Sequence, residues 1–291
     1  MDYPIIEVKT SDNLYLFGLL SQPAHSTTLY LHIHGSGGNF FCDEYERTFY
    51  EELPKLGIDV LFTNNRGSYA LDSWQDTGAA LEIFEDSLLD LDAWIKWAVR
   101  HSYKKIILSG HSHGTEKVVY YLNKGKNKDK INAVVLMGFC DTIGTQESFE
   151  KKVNINFMEE ALKKVASGKG YELLTSHRRA QAGELPISAQ TYINYFSKDS
   201  ELSRVTPFRL NSSLPMINSI KIPVLATIGD HEEYTIIPIV DAIKLLKKEN
   251  SLVEVHQVIG SNHMYDKYQQ DLISLISNFL RSLKLTSQSF N

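Results

Sequence analysis

The chain has 291 residues, 43% apolar and 22% charged, with a formal charge of −5, a size near the upper end for one continuous core, so one domain with a sizeable insertion is expected. The acidic balance offers no footprint for nucleic acid, and no apolar run approaches the ~18 residues of a membrane span, so neither partner is expected. The opening MDYPIIEVKTSDN lacks the basic end and apolar run of a secretory signal, and only Cys42 and Cys140 occur, far apart, which fits a cytoplasmic protein without a disulfide framework.

Two partly alternating apolar runs, Ile5 to Val8 and Leu14 to Leu20, are joined by the turn-forming Thr10, Ser11, Asp12 and Asn13, and this predicts an antiparallel hairpin. From there short apolar runs alternate with helical patterns. The strands are TLYLHIH from Thr28, IDVLFTN from Ile58, KKIILSG from Lys104, NAVVLMGF from Asn132, PVLATIG from Pro223 and LVEVHQVIG from Leu252. Helices are expected around Tyr45 to Leu56, Ile83 to Val99, after Ser112, from Pro238 to Lys248, and at the end of the chain to Leu280. Such alternation means a mostly parallel sheet covered on both faces. The segment from Asp141 to Ile220 breaks the rhythm, with helical pieces at Glu147 to Ala166 and Ile187 to Phe196. It reads as a cap, residues 141–220, inserted into a core made of residues 1–140 and 221–291.

Chemistry concentrates at the ends of these strands. Gly110-His111-Ser112-His113-Gly114 lies between a buried strand and a helix, so it must make the turn between them. Glycines on both sides allow a tight bend that holds Ser112 strained and outward, and the free N–H groups of the next helix favour negative charge beside it. A helix-capping serine also suits this position. A serine hydroxyl needs an imidazole to take its proton and a carboxylate to orient the imidazole. Asp230, Glu232 and Glu233 follow one later strand and His263 follows the next, and in a parallel sheet these ends share one edge.

In these features the chain resembles the α/β-hydrolase superfamily. The resemblance implies an eight-stranded, mostly parallel sheet, a nucleophile elbow at Ser112 and the order serine, acid, histidine. It implies Glu232 as the acid, three residues past Gly229, with Asp230 as the alternative and Asp141 as a third position; Glu233 is left to solvent or a local salt bridge. His263 is the base, its alternative being a cap on the last helix. The oxyanion donors are the backbone N–H groups of His113 and of Ser36, the latter in a His34-Gly35-Ser36-Gly37-Gly38 loop like the family's His-Gly motif. Arg66, in an Arg-Gly turn, is expected to support its loop. The stretches Gly-Asp-His-Glu-Glu-Tyr and Ile-Ser-Ala-Gln-Thr-Tyr are similar to a group that includes fungal siderophore esterases.

The expected reaction is ester cleavage through an acyl-enzyme on Ser112, with thioester, lactone and amide cleavage using the same groups. No cofactor is called for: the Gly-rich loop lacks the ending of a P-loop and the spacing of a dinucleotide fingerprint. Zinc at His32 and His34, or at His111 and His113, is the competing reading of the paired histidines, and a ligand-binding protein on the same fold is the alternative function. The aromatic residues Phe149, Phe157, Tyr171, Tyr192, Tyr195, Phe196 and Phe208 of the insertion either wall an apolar substrate pocket or form the core of the cap. Arg178 and Arg179 are read as solvated.

Overall fold

Residues 3–21, 26–231 and 233–286 are described by the computed structural model. The first two strands, β1 (Ile5–Lys9) and β2 (Tyr15–Ser21), pair antiparallel as the expected hairpin. They are followed by β3 (Thr28–Ile33), β4 (Asp59–Thr63), β5 (Lys105–His111), β6 (Ile131–Met137), β7 (Val224–Ile228) and β8 (Val253–Gln257). The sheet order is β1-β2-β4-β3-β5-β6-β7-β8; β2 joins β4 antiparallel, and from β4 to β8 every pairing is parallel.

Side chains alternate across each strand, so the two faces of the sheet acquire separate cores. In β3, Leu29, Leu31 and Ile33 join one core, which takes Leu91, Trp94 and Ile95 from α2 (Ser87–Arg100), Val118 and Val119 from α3 (His113–Lys124), and Leu245 and Leu246 from α8 (Ile239–Glu249). Tyr30 of the same strand faces the other core, with Tyr45 and Phe49 of α1 (Glu44–Glu52) and Leu272, Ile276 and Phe279 of α9 (Gln269–Ser282). The central strands are apolar at nearly every position because both faces are covered.

Helix boundaries depart from periodicity where local chemistry intervenes. α1 stops at Glu52 and continues as a 3-10 turn, Leu53–Leu56, because Pro54 removes a backbone donor. The expected helix over Glu147 to Ala166 is two helices, α4 (Thr142–Val153) and α5 (Phe157–Ala166). Asn154 ends the first at φ 54°, and the Asn156 side chain accepts from the N–H of Glu159 to start the second. α6 (Ala189–Phe196) begins at Ser188, whose hydroxyl caps Thr191 N–H. These helices enclose a small core of Phe157, Ala161, Leu174, Ile187 and Tyr192, and a short helix, α7 (Pro215–Asn218), leads back to β7. Among the described residues no helix is long and apolar enough to cross a membrane.

Candidate active site

The turn from β5 to α3 is forced by packing. A Cβ on Gly110 would lie 2.4 Å from the carbonyl oxygen of Gly114, and one on Gly114 would lie 2.4 Å from that of Ile33. Only hydrogen fits at either place. Between them Ser112 takes φ 52° and ψ −128°, a conformation costly for any residue with a side chain. Its N–H donates to Met137 O at 2.9 Å, which anchors the elbow to β6, and its hydroxyl makes no capping bond to α3. The helix-cap reading of Ser112 therefore fails, and the strained conformation places the side chain in a cleft shared with Gly35, Ser36, His113 and His263.

His263 reaches that cleft from the loop after β8. Its Nδ1 lies 2.8 Å from Glu233 Oε2, and the other oxygen of Glu233 accepts the Gly229 N–H at 2.7 Å. Both side chains are buried, and His263 Nε2 is enclosed without a hydrogen-bond partner. With Nδ1–H donated to the carboxylate, Nε2 is left as a free acceptor. The ring is boxed in: Tyr234 packs edge-on at 4.6 Å between centroids and His111 at 4.8 Å. Gly138, at φ 56°, lies beneath it, where a Cβ would come within 2.8 Å of His263 Cε1.

The carboxylate on His263 thus differs from the one expected. Glu232 lies outside the described residues, and the partner of the imidazole is Glu233. The physical reason is the bend after β7: the chain turns at Asp230, and the N–H groups of Asp230 and His231 both donate to Ser261 O, at 2.9 and 3.2 Å. This pinned bend brings the fourth residue past Gly229, rather than the third, to His263. Asp230 is occupied elsewhere, both of its oxygens lying within 3.0 Å of the Gly260 N. Asp141 caps α4 through Gly144 N–H and pairs with Arg209 at 2.8 Å, and burial pushes its carboxyl up to about 6.

The histidines of the two His-x-His pairs each have a bonding partner. His111 Nε2–H donates to the His263 carbonyl at 2.9 Å, and burial, with the neighbouring His263, lowers its pKa to about 4. It fixes the backbone of His263 as a neutral ring. His34 Nδ1–H donates to Gly35 O at 2.6 Å and its Nε2 lies 2.7 Å from Ser68 Oγ, shaping the loop that carries Ser36. His32 Nδ1 lies 3.0 Å from Ser109 Oγ. His113 Nδ1 meets Glu116 Oε2 at 2.7 Å, and Glu116 also accepts from Thr142 N–H at 3.1 Å and Thr206 Oγ1 at 3.2 Å. One buried carboxylate so ties the start of α3 to Thr142 and Thr206, on two separate stretches of the segment between β6 and β7. The described cluster with metal-ligand spacing is Cys42, Asp43 and Glu46, in neither histidine pair.

Gly35 approaches Ser112 closely, since a Cβ on it would lie 2.9 Å from Ser112 Cβ. Arg66 is structural as expected, bonded to Asp90 through Nη2 at 2.8 Å and to Asp12 at 3.1 Å. The aromatic residues of the insertion mostly do not reach the cleft. Phe157 and Tyr192 are in its small core, Phe208 packs under the sheet, Tyr171 is exposed, and Phe196 alone of the seven lines the cleft. Arg178 and Arg179 are exposed. Sequence reasoning does not reach Glu116, Gly138 or Tyr234, which act through packing and buried bonds and carry no local motif.

Comparison with solved structures gives the same fold. The Pyrococcus furiosus esterase Pf2001 is 20% identical, with 97% of this chain and 91% of that one covered and a TM-score of 0.62. The α/β hydrolase GrgF from a Penicillium species is 16% identical, with 98% of each chain covered and a TM-score of 0.72. A soluble variant of the Saccharomyces cerevisiae monoglyceride lipase is 14% identical, covering 99% and 97%, with a TM-score of 0.66. The likeness to siderophore esterases has no counterpart among these three, and no curated protein sequence matches the chain. The fold is that of the α/β-hydrolase superfamily, and because a family model matches residues 85–265, the chain belongs to the family described as protein of unknown function DUF1749.

Proposed function

We propose that the protein is a serine hydrolase of small carboxylic esters, in which Ser112 forms the acyl-enzyme. His263 Nε2 takes the hydroxyl proton as Ser112 Oγ attacks the carbonyl, and Glu233 holds the ring in the tautomer that leaves Nε2 free and stabilises the imidazolium that forms. The same imidazolium returns the proton to the departing alcohol, and water then repeats the sequence in reverse. The N–H groups of Ser36 and His113 are the proposed donors to the oxyanion, the second favoured by its place at the start of α3. Residues 141–220 act as a cap, contributing Thr142, Thr145, Gln146, Gln181, Leu185 and Phe196 to the wall. A cavity of about 180 Å³ is small for a ligand site and suits a short acyl group.

The observation that carries this reading is the buried, unpartnered Nε2 of an imidazole whose other nitrogen is fixed on a carboxylate, in the cleft of a serine at φ 52°. The names of the esterase and lipase among the structural neighbours support it at the level of reaction class. A fluorophosphonate probe is expected to label Ser112 in the wild type and to leave Ser112→Ala unmodified. Folded wild-type protein that stays unlabelled would overturn the proposal and favour a binding module.

A further inference from the structure

Five carboxylates packed around the site are paired with bases. Glu233 meets His263, Glu116 meets His113, Glu82 meets Lys117, Asp141 meets Arg209 and Asp90 meets Arg66, at 2.6 to 2.8 Å. Asp43 and Glu184, which line the cleft itself, break this pattern. Asp43 accepts from Tyr45 Oη at 2.8 Å and Glu184 from Tyr234 Oη at 2.8 Å, and neither forms a salt bridge among the described residues. A neutral hydroxyl orients a carboxylate without cancelling its charge.

No lysine or arginine lines the cleft among the described residues. His111 is held neutral by its low pKa of about 4, and burial pushes the Cys42 thiol up to about 12. Asp43 is half-buried on the loop before α1, whereas Glu184 is exposed on the insertion, so negative charge stands at the inner wall and at the rim. A cleft with walls of one sign and low-dielectric surroundings concentrates the opposite charge. An anionic substrate would face repulsion from both sides.

We infer that the cleft selects esters bearing a positive charge, an ammonium group on the alcohol or acyl part, with Asp43 and Glu184 as the specificity-determining carboxylates. This inference rests on the esterase reading for its turnover assay but not for its binding assay. Butyrylcholine is compared with 3,3-dimethylbutyl butyrate, its uncharged isostere, and with 2-sulfoethyl butyrate. The expected order of kcat/KM is cation above neutral above anion, with the first ratio about tenfold at low salt and falling as ionic strength rises. In Asp43→Asn with Glu184→Gln the cation-to-neutral ratio falls toward one. Equal kcat/KM for cationic and neutral esters in the wild type, or a ratio unchanged in the double variant, overturns the inference. Calorimetric titration of Ser112→Ala with choline and with 3,3-dimethylbutan-1-ol reads the same preference without catalysis. Unlabelled, inactive wild type would then remove the hydrolase reading alone, whereas equal binding of the two alcohols would remove the charge preference alone.

Discussion

Replacing Glu233 by glutamine isolates what the carboxylate does for His263. The glutamine carbonyl still accepts one hydrogen bond at the position of Oε1, now 2.7 Å from Gly229 N, so the loop keeps its anchor. The amide nitrogen then takes the place of Oε2, 2.8 Å from His263 Nδ1. An amide N–H facing Nδ1 demands an acceptor there, which moves the ring proton to Nε2, and a protonated Nε2 cannot receive the proton of Ser112. Losing the acid of such a triad lowers turnover by about 10³–10⁴, or about 4–5.5 kcal/mol of transition-state stabilisation at ~1.36 kcal/mol per decade. Steady-state hydrolysis of p-nitrophenyl butyrate by Glu233→Gln, Glu232→Gln and Asp230→Asn measures this, with circular dichroism to confirm folding. Only the first is expected to lose three or more decades in kcat. Glu233→Gln retaining more than a tenth of wild-type kcat, with Glu232→Gln losing its activity, would refute the assignment.

Gly138→Ala places a methyl group 2.8 Å from His263 Cε1 on backbone at φ 56°, so the fluorophosphonate labelling rate of Ser112 should fall by at least about tenfold, at a stability cost of about 1–3 kcal/mol. Lys117→Met leaves Glu82 buried without the partner it has at 2.6 Å and should cost about 3–5 kcal/mol in urea denaturation, most of it recovered on adding Glu82→Gln. Glu46 is buried, and burial, with the nearby Asp43, raises its carboxyl from 4.5 to about 9. The folded state holds this proton across that window while the unfolded chain releases it, so the contribution to stability is full below pH 4.5 and is lost as pH rises toward 9. Glu46→Gln should therefore match the wild type near pH 4 and exceed it by up to about 3 kcal/mol at pH 7; a difference that does not change with pH would contradict this.

How far the sequence reveals the site depends on whether a residue's role is set within a few positions or by contacts across the fold. Strand apolarity and the Gly-x-Ser-x-Gly turn are local, and the strain at Ser112 follows from glycines two residues away on each side. His263 is readable for a similar reason, since the end of β8 in a parallel sheet can deliver it only to one edge. The acid is different. Its identity depends on the path of the loop past β7, and that is fixed by the Ser261 carbonyl, about thirty positions on, which accepts the N–H groups of Asp230 and His231. Counting from Gly229 assumes a turn length that only the partner loop determines. The aromatic residues of the insertion follow the same logic: their pattern marks them as buried but not against what, and their own small core takes Phe157 and Tyr192. Beside Leu185 and Phe196, the cleft wall is built from threonines, glutamines and two carboxylates, at positions 43 and 184. Substrate polarity is consequently a property of the assembled wall, and the aromatic content of residues 141–220 carries no information about it.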